Sequence, residues 1–296
     1  LDEVETFSKS LGGTAANVAV AAARHGRRSA LISATGDDPF GRYLHSELRR
    51  FGVDDRYVGR APGLNTPVTF CEIFPPENFP LYFYREPIAP DLTIGEELLD
   101  AAAIAHAGLF WLTATGLSRE PSRSTHHRAL AMRGRARHTV LDLDYRPMFW
   151  ESAAAASAQL GQVLDRVTVA VGNREECAVA TGHDDPDRAA DALLDRGLEL
   201  AVVKLGGEGV LAKSAAGERA VVAPHRVSVV NGLGAGDGFG GALCHGLLSG
   251  WPLTETIAFA STAGALVAAE RECSTAMPTT EQVRRAMARD QGHGTG

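Results

Sequence analysis

The sequence predicts an α/β fold with a mainly parallel sheet that helices cover on both faces. From about Leu92 onward, short β-branched runs alternate with helical patterns, which is typical of parallel strands joined by crossover helices. The 296 residues are 45% hydrophobic and 22% charged, enough for one large α/β domain or two small ones. Because no repeat or linker is visible, we expect a single domain over 1–296 with a β-lid insertion at about 57–90.

The first part of the chain predicts two helices around a short strand. Small residues after a Gly-Gly pair predict a helix over about 14–25, which Gly26 ends. A short buried strand is expected at 29–33. A second helix is expected over 39–50, with Asp38 as its N-cap before a first-turn proline.

A hairpin and then the alternating series follow. The stretches 66–74 and 79–85 are rich in β-branched and aromatic residues, and a Pro-Pro-Glu-Asn turn at 75–78 joins them, which predicts two antiparallel strands. Further strands are expected at 109–113, 139–143, 167–171, 200–205, 209–213 and 220–224. Helices are expected from about 118, from 173, and over 184–196, 237–249, 252–270 and 278–288, before a disordered tail at 291–296.

The stretch 231–238, Asn-Gly-Leu-Gly-Ala-Gly-Asp-Gly, predicts a phosphate site. It lies between a β-branched run at 227–230, which predicts a strand, and a small apolar run that predicts a helix. Gly234 and Gly236 leave backbone N–H groups open at the helix N-terminus, where the helix dipole favours an anion. Asp237 is either a simple helix cap or a catalytic group. No Lys-Ser/Thr follows, so this is not a Walker loop, and its late position does not fit a dinucleotide fingerprint.

Composition argues against several classes of protein. The net charge of −7 and the scattered basic residues argue against nucleic acid as a partner, and we expect the small cluster Arg133, Arg135 and Arg137 to be a solvated helix end. No apolar run reaches the length of a membrane span, no signal peptide is visible, and the four cysteines lack CxxC spacing. We therefore expect a cytoplasmic protein with reduced thiols and no membrane partner.

Two glycine-rich elements far apart in sequence, each preceding a helix, suit an enzyme that joins a phosphate donor to a small polar acceptor. They resemble the two signatures of ribokinase-like, PfkB-type carbohydrate kinases. The first is Gly12-Gly13-x-x-x-Asn17 with Gly36-Asp37-Asp38-Pro39-Phe40-Gly41, and the second is Gly234-Ala235-Gly236-Asp237. The resemblance covers nearly the whole chain. It implies a ribokinase-like three-layer α/β/α sandwich with a mainly parallel central sheet and a small β lid, ATP as donor, Mg²⁺, and phosphorylation of a sugar hydroxyl.

The resemblance also implies roles for individual residues. Asp237 would be the general base, and the anion hole would consist of the backbone N–H groups of Gly234, Ala235 and Gly236. The residues expected to face the sugar are Gly12, Gly13 and Asn17. The residues expected to border the nucleotide are Asn173, Glu176, Lys204, Gly206, Gly209, Ser261, Thr262 and Gly264. Glu176 would support Mg²⁺ through water or phosphate, although an N-cap role for Asn173 is an equally good interpretation without the family.

Three stretches resemble the 5-dehydro-2-deoxygluconokinases within this family: 77–86 in the lid, 142–150, and 230–233. In the related 2-keto-3-deoxygluconate kinases, arginines at the positions of Arg85 and Arg146 grip the acid group of the substrate. A guanidinium presents two parallel donors to a carboxylate, so an arginine pair suits an acidic sugar. Ordinary surface or ion-pair arginines are the alternative.

Lids of this type often join two chains into a dimer in the family, so a homodimer through the lid is a further expectation.

The sequence departs from the family pattern at two places. Many members carry Asp where this chain has Asn231, at a position linked to a monovalent cation, so a potassium requirement is doubtful. The family's first strand, with its substrate-binding aspartate, is not in this sequence, and we expect it to lie outside the residues given.

The expected activity is ATP-dependent phosphorylation of the terminal hydroxyl of an acidic keto-sugar, with 5-dehydro-2-deoxy-D-gluconate as the first candidate. The alternatives are a 2-keto-3-deoxygluconate kinase, a neutral-sugar kinase such as fructokinase or ribokinase, and a sugar or nucleotide sensor without catalysis.

Overall fold

The computed structural model describes residues 1–76 and 78–293, which form two compact units. The first unit contains Leu1–Pro90, His225–Gly246 and the residues from Phe259 onward, and the second contains Asp91–Pro224 and Leu247–Ala258. Glu77 of the predicted hairpin turn and residues 294–296 of the predicted tail lie outside the described residues. The last helix continues to His293, so the prediction of disorder is wrong for 291–293. The single-domain organisation stays a prediction.

The helices and strands have the following bounds. The helices are Thr14–Arg24 (α1), Pro39–Arg50 (α2), Ala101–His106 (α3), Ser122–Arg133 (α4), Ala153–Gly161 (α5), Arg174–Thr181 (α6), Pro186–Asp195 (α7), Ala235–Ser249 (α8), Leu253–Ala268 (α9) and Thr280–His293 (α10). The strands are Ser29–Ala30 (β1), Ser33–Gly36 (β2), Val53–Asp54 (β3), Val58–Ala61 (β4), Val68–Cys71 (β5), Leu81–Tyr84 (β6), Phe110–Thr113 (β7), Thr139–Asp142 (β8), Val169–Asn173 (β9), Leu200–Lys204 (β10), Val210–Ser214 (β11) and Arg219–Val222 (β12).

The second unit is organised around a six-stranded sheet in the order β12-β11-β10-β9-β8-β7. Strands β7 to β10 run parallel, and β11 and β12 are antiparallel to their neighbours. The stretches Thr139–Asp142 and 169–172 are buried at every position, as expected for strands covered on both faces. The predicted α/β class with a mainly parallel sheet and helices on both sides is confirmed.

The carboxyl ends of the parallel strands lie at one edge of this sheet. Thr113, the last residue of β7, pairs with Asp142, the last residue of β8, and Lys204 at the end of β10 pairs with Asn173 at the end of β9. In open parallel sheets this edge is where ligands bind. The sequence therefore places several of its predicted site residues at the same edge.

The first unit contains close helix packing and a hairpin. A Cβ added at Gly241 of α8 would lie 2.3 Å from the Cβ of Ala21 in α1, so these helices approach more closely than a side chain at 241 permits. The hairpin is confirmed: β5 and β6 are antiparallel, with Val68 opposite Tyr84 and Cys71 opposite Leu81.

The prediction of one buried strand at 29–33 is wrong. The segment forms two short strands, β1 and β2, which pair in parallel with β3 and β4 respectively. The partner segment contains a turn at 55–57, in which the Val58 N–H donates to the Asp55 carbonyl at 3.0 Å, and this turn interrupts the ladder.

The predicted strand at 227–230 is also wrong, because these residues join no strand in the described part of the chain. The N–H groups of Val230 and Asn231 donate instead to the carbonyl of Ala268, the last residue of α9, at 2.8 and 3.1 Å. A final-turn carbonyl lacks a partner within its own helix and accepts such donors. β-branched residues favour extended backbone, but a strand also needs a neighbouring strand to pair with.

The expectation of a solvated basic cluster fails at Arg133, which is only 3% exposed. Its Nη1 donates to the carbonyls of Ile104 (3.0 Å) and Ala107 (2.6 Å) at the end of α3, and its Nε donates to Thr139 Oγ1 at 3.1 Å. Burial lowers the pKa of this guanidinium. Arg133 therefore ties α3 to the start of β8, and it presents no charge for an outside partner.

Candidate active site

The first turns of α1 and α8 meet through one hydrogen bond. The side-chain amide Nδ2 of Asn17 donates to Asp237 Oδ2 at 2.7 Å. Asn17 is buried, at 3% exposed, and Asp237 is half-buried. Asn17 Oδ1 is buried without a hydrogen-bond partner among the described residues. Two predicted site residues that are 220 positions apart therefore lie side by side, with a carboxylate at a helix N-terminus.

The Gly-Gly pair shapes the entry into α1. Gly13 is the N-cap of the helix with φ 95°, a backbone conformation that strongly favours glycine, and its carbonyl accepts from the Asn17 N–H at 2.9 Å. No atom lies within 4 Å of a Cβ added at Gly12 or Gly13. The pair therefore sets the backbone that leads into α1, and the space at both glycines is open.

The late glycine turn leads directly into α8. Gly234 has φ 86°, and a Cβ there would lie 2.9 Å from the Cβ of Cys273. The helix begins at Ala235, so the amides of Ala235 and Gly236 belong to its first turn, where N–H groups have no acceptor within the helix proper. The Ala235 N–H makes one long bond, 3.4 Å, to the Gly232 carbonyl. This arrangement suits an anion.

Asn231 fixes the start of this turn. Its Nδ2 donates to the Arg271 carbonyl at 2.7 Å, and its Oδ1 accepts from the Leu233 N–H at 3.0 Å. The residue is 2% exposed. Since one partner needs a donor and the other an acceptor, an amide satisfies both and a carboxylate does not.

Cys273 packs against the same turn. Its thiol donates to the Leu233 carbonyl at 3.4 Å. Burial, with a smaller contribution from Asp237, raises the pKa of the thiol to about 12. The group therefore stays protonated and acts as a donor that holds the turn.

The other predicted residues of the first unit lie on elements around these. Ser261 and the buried Thr262 lie in the middle of α9, which packs on the first turn of α8: a Cβ at Gly264 would be 2.7 Å from the Ala235 carbonyl oxygen. Arg85 is half-buried and directly follows β6 of the hairpin.

In the second unit, Asn173 and Glu176 form a capping box at the start of α6. Asn173 Oδ1 accepts from the Glu176 N–H at 2.8 Å, and Glu176 Oε2 accepts from the Asn173 N–H at 2.7 Å. The N-cap interpretation is therefore correct for Asn173. Glu176 is buried at the carboxyl edge of the sheet, where it adds negative charge.

Lys204 and the glycines that follow it form the next corner of this edge. Lys204 ends β10, and Gly206 begins a single 3₁₀ turn to Glu208. Gly209 has φ 97°, and a Cβ there would lie 2.0 Å from the Val222 carbonyl oxygen, so the turn requires glycine.

Arg146 lies at the same edge, four residues after β8, in an ion pair that the sequence did not reveal. Its Nε donates to Asp144 Oδ1 at 3.1 Å, and Thr115 Oγ1 donates to Asp144 Oδ2 at 3.1 Å. Burial raises the pKa of Asp144, and the charge of Arg146 opposes that rise. The sequence signals for Asp144 were its place two residues before Arg146 and its position in the family-like stretch 142–150.

Comparison with known proteins settles the family. The family model described as pfkB family carbohydrate kinase matches residues 1–280. The chain belongs to the pfkB family of carbohydrate kinases. It is therefore a sugar kinase.

The kinase is similar to known sugar kinases in sequence and in structure. A 5-dehydro-2-deoxygluconokinase of Halalkalibacterium halodurans is 31% identical over 296 residues, which are 98% of this chain and 89% of the relative. The crystal structure of a fructokinase from Vibrio cholerae with fructose, ADP and calcium ion is similar with a TM-score of 0.86 at 24% identity, over 95% of this chain and 92% of that one. A fructokinase from Xylella fastidiosa with bound ATP gives a TM-score of 0.84 at 23% identity, over 95% and 91%. The predicted ribokinase-like fold is thus confirmed.

The sheet edge of the second unit carries a carboxylate of the type that binds Mg²⁺ in kinases. Within the described residues, no three His, Cys, Asp or Glu side chains converge on a metal site. Mg²⁺ in kinases is bound by one or two carboxylates together with substrate phosphates and water. Glu176 at the sheet edge is a carboxylate of this kind, and its Oε2 accepts from the Asn173 N–H.

No helix among the described residues is both long and apolar enough to cross a membrane.

Replacing Asn231 by Asp tests how the glycine turn is held. The carboxylate of the Asn231→Asp variant has no N–H to donate to the Arg271 carbonyl. We therefore expect the free energy of unfolding to fall by about 2 kcal/mol, the cost of an unsatisfied buried group. Potassium between the two oxygens should recover part of the loss. Urea unfolding of both proteins in KCl and in choline chloride of equal ionic strength measures this effect. Equal stability of the two proteins in choline chloride would contradict the assignment.

Proposed function

We propose that the kinase transfers the terminal phosphoryl group of ATP to the terminal hydroxyl of an acidic keto-sugar, with 5-dehydro-2-deoxy-D-gluconate as the first candidate. The observation that carries the proposal is the relative of that activity at 31% identity, which the chain matches over 89% of the relative's length. The Arg146 guanidinium, 41% exposed at the carboxyl edge of the sheet, supplies the group that an acid requires.

In this proposal Asp237 takes the proton from the sugar hydroxyl. The hydroxyl oxygen forms its bond to the γ-phosphorus while the bond to the ADP oxygen breaks, and the proton passes to Asp237. The hydrogen bond from Asn17 fixes the orientation of the carboxylate. The buried Asn17 Oδ1 suits a hydroxyl donor from the sugar, beside Gly12 and Gly13.

The roles that family membership implies for the phosphate and nucleotide complete the proposal. The N–H groups of Gly234, Ala235 and Gly236 receive the charge that develops on the transferring phosphoryl group. The residues assigned to the nucleotide are Asn173, Glu176, Lys204, Gly206, Gly209, Ser261 and Thr262. Glu176 would hold Mg²⁺ through water, and the metal when bound neutralises phosphate charge.

A substrate panel with arginine variants tests the acid assignment. We expect Arg146→Ala and Arg85→Ala to raise the KM for the acidic keto-sugar about 10-fold or more, because each removes a charged hydrogen bond of about 1.5–3 kcal/mol. The KM for fructose should change less than threefold. The exposed Arg128→Ala in α4 serves as the matched control.

Equal effects on the acidic and the neutral sugar would contradict the acid-binding role of the arginines. Turnover of fructose in preference to any acidic sugar by the wild type would favour a neutral-sugar kinase. Preference for 2-keto-3-deoxygluconate within the acidic set would favour that kinase instead.

We also propose that the kinase forms a homodimer through the hairpin. Two aromatic side chains of this small element, Phe74 and Tyr84, are 54% and 64% exposed, and exposed apolar side chains of this size are typical of interfaces. Light scattering of the wild type should give twice the chain mass, and Tyr84→Lys should shift it toward the monomer, whereas Phe40→Lys in α2 should not. A monomeric wild type would contradict the pairing.

A further inference from the structure

Arg146 is tied to a buried carboxylate rather than held by packing alone. Asp144 Oδ1 accepts from Arg146 Nε at 3.1 Å, and the side chain of Asp144 is 7% exposed whereas that of Arg146 is 41% exposed. The buried member of the pair therefore anchors the more exposed one. Because the five N–H donors of a guanidinium share one plane, a bond to Nε restricts the orientation of all of them.

Asp144 is in turn fixed by its own backbone and by Thr115. Thr115 Oγ1 donates to Asp144 Oδ2 at 3.1 Å and lies 3.4 Å from its carbonyl oxygen. The φ of Asp144 is 21°, a conformation that residues other than glycine rarely adopt and that Asp and Asn tolerate best. The chain thus accepts backbone strain at the residue that holds Arg146, and such strain clusters at functional sites.

We propose that Asp144 is a positioning residue that orients the Arg146 guanidinium toward the carboxylate of the substrate. This inference rests on the proposed function, because it assigns Arg146 to an acid group. An arginine that is already oriented loses less conformational freedom on binding than a mobile one, so the anchored side chain binds the acid more tightly. Asp144 acts through Arg146 and has no role in binding a neutral sugar.

A double-mutant cycle tests the proposal. Asp144→Gly removes the carboxylate and allows the positive φ without strain. We expect it to raise the KM for the acidic keto-sugar about 10-fold, while kcat and the KM for fructose change less than twofold. In the Arg146→Ala background, Asp144→Gly should add less than a twofold change, because its target is gone.

Further variants separate orientation from loss of structure. Asp144→Asn keeps an acceptor for Nε, so its KM for the acidic sugar should stay within threefold of the wild type. Thr115→Val removes the anchoring hydroxyl and should raise that KM about threefold, which keeps the test available if Asp144→Gly fails to fold. Asp165→Asn, on the exposed surface of the same unit, is the matched control. Calorimetric binding of the acidic sugar without ATP gives a readout independent of turnover.

The outcomes distinguish this inference from the proposed function. If the wild type shows no preference for the acidic sugar, or Arg146→Ala affects both sugars equally, the proposed function fails and the role of Asp144 fails with it. If Arg146→Ala abolishes the preference but Asp144→Gly leaves it intact, only the inference is overturned. It is also overturned if Asp144→Gly weakens fructose equally, or if its effect adds in full to that of Arg146→Ala.

Discussion

The hydrogen bond from Asn17 to Asp237 is the contact on which the proposed chemistry of the first unit depends. It joins two helix N-termini that the chain brings together over 220 residues. Forming it requires α1 and α8 to pack at van der Waals distance, and the absence of a side chain at Gly241 against Ala21 permits that approach. A side chain at position 241 would therefore push α8 away from α1. The Asp237 carboxylate would then separate from the Asn17 amide that orients it.

The glycine turn before α8 is held from both sides by neutral donors. Asn231 and Cys273 donate to carbonyls, and neither group carries a charge beside the first turn of the helix. Because the raised pKa of the Cys273 thiol keeps it protonated, the positive end of the helix dipole faces no competing thiolate. In the proposed function, an anionic phosphoryl group at this turn would therefore meet no negative charge from the thiol.

Local signals allowed much of this architecture to be predicted. The hairpin, the N-cap Asp38 and the parallel strands follow from side-chain type and periodicity. The family signatures predicted that Asp237 and Asn17 share a site, and the two side chains are in contact. Contacts between segments that are far apart in the sequence could not be predicted from it. The run at 227–230 has strand propensity but lies against the end of α9, and Arg133 is buried because carbonyls of α3 surround it. The positive φ of Asp144 and its bond to Thr115, 29 residues earlier, leave no trace in the sequence pattern.

The proposed reaction depends on Asp237 accepting the proton of the sugar hydroxyl. The most direct test is the kcat of Asp237→Asn with the acidic keto-sugar and ATP, measured on protein whose thermal unfolding matches that of the wild type. We expect kcat to fall at least about 100-fold, the usual contribution of a general base, with both KM values within threefold. A kcat within tenfold of the wild type would contradict it.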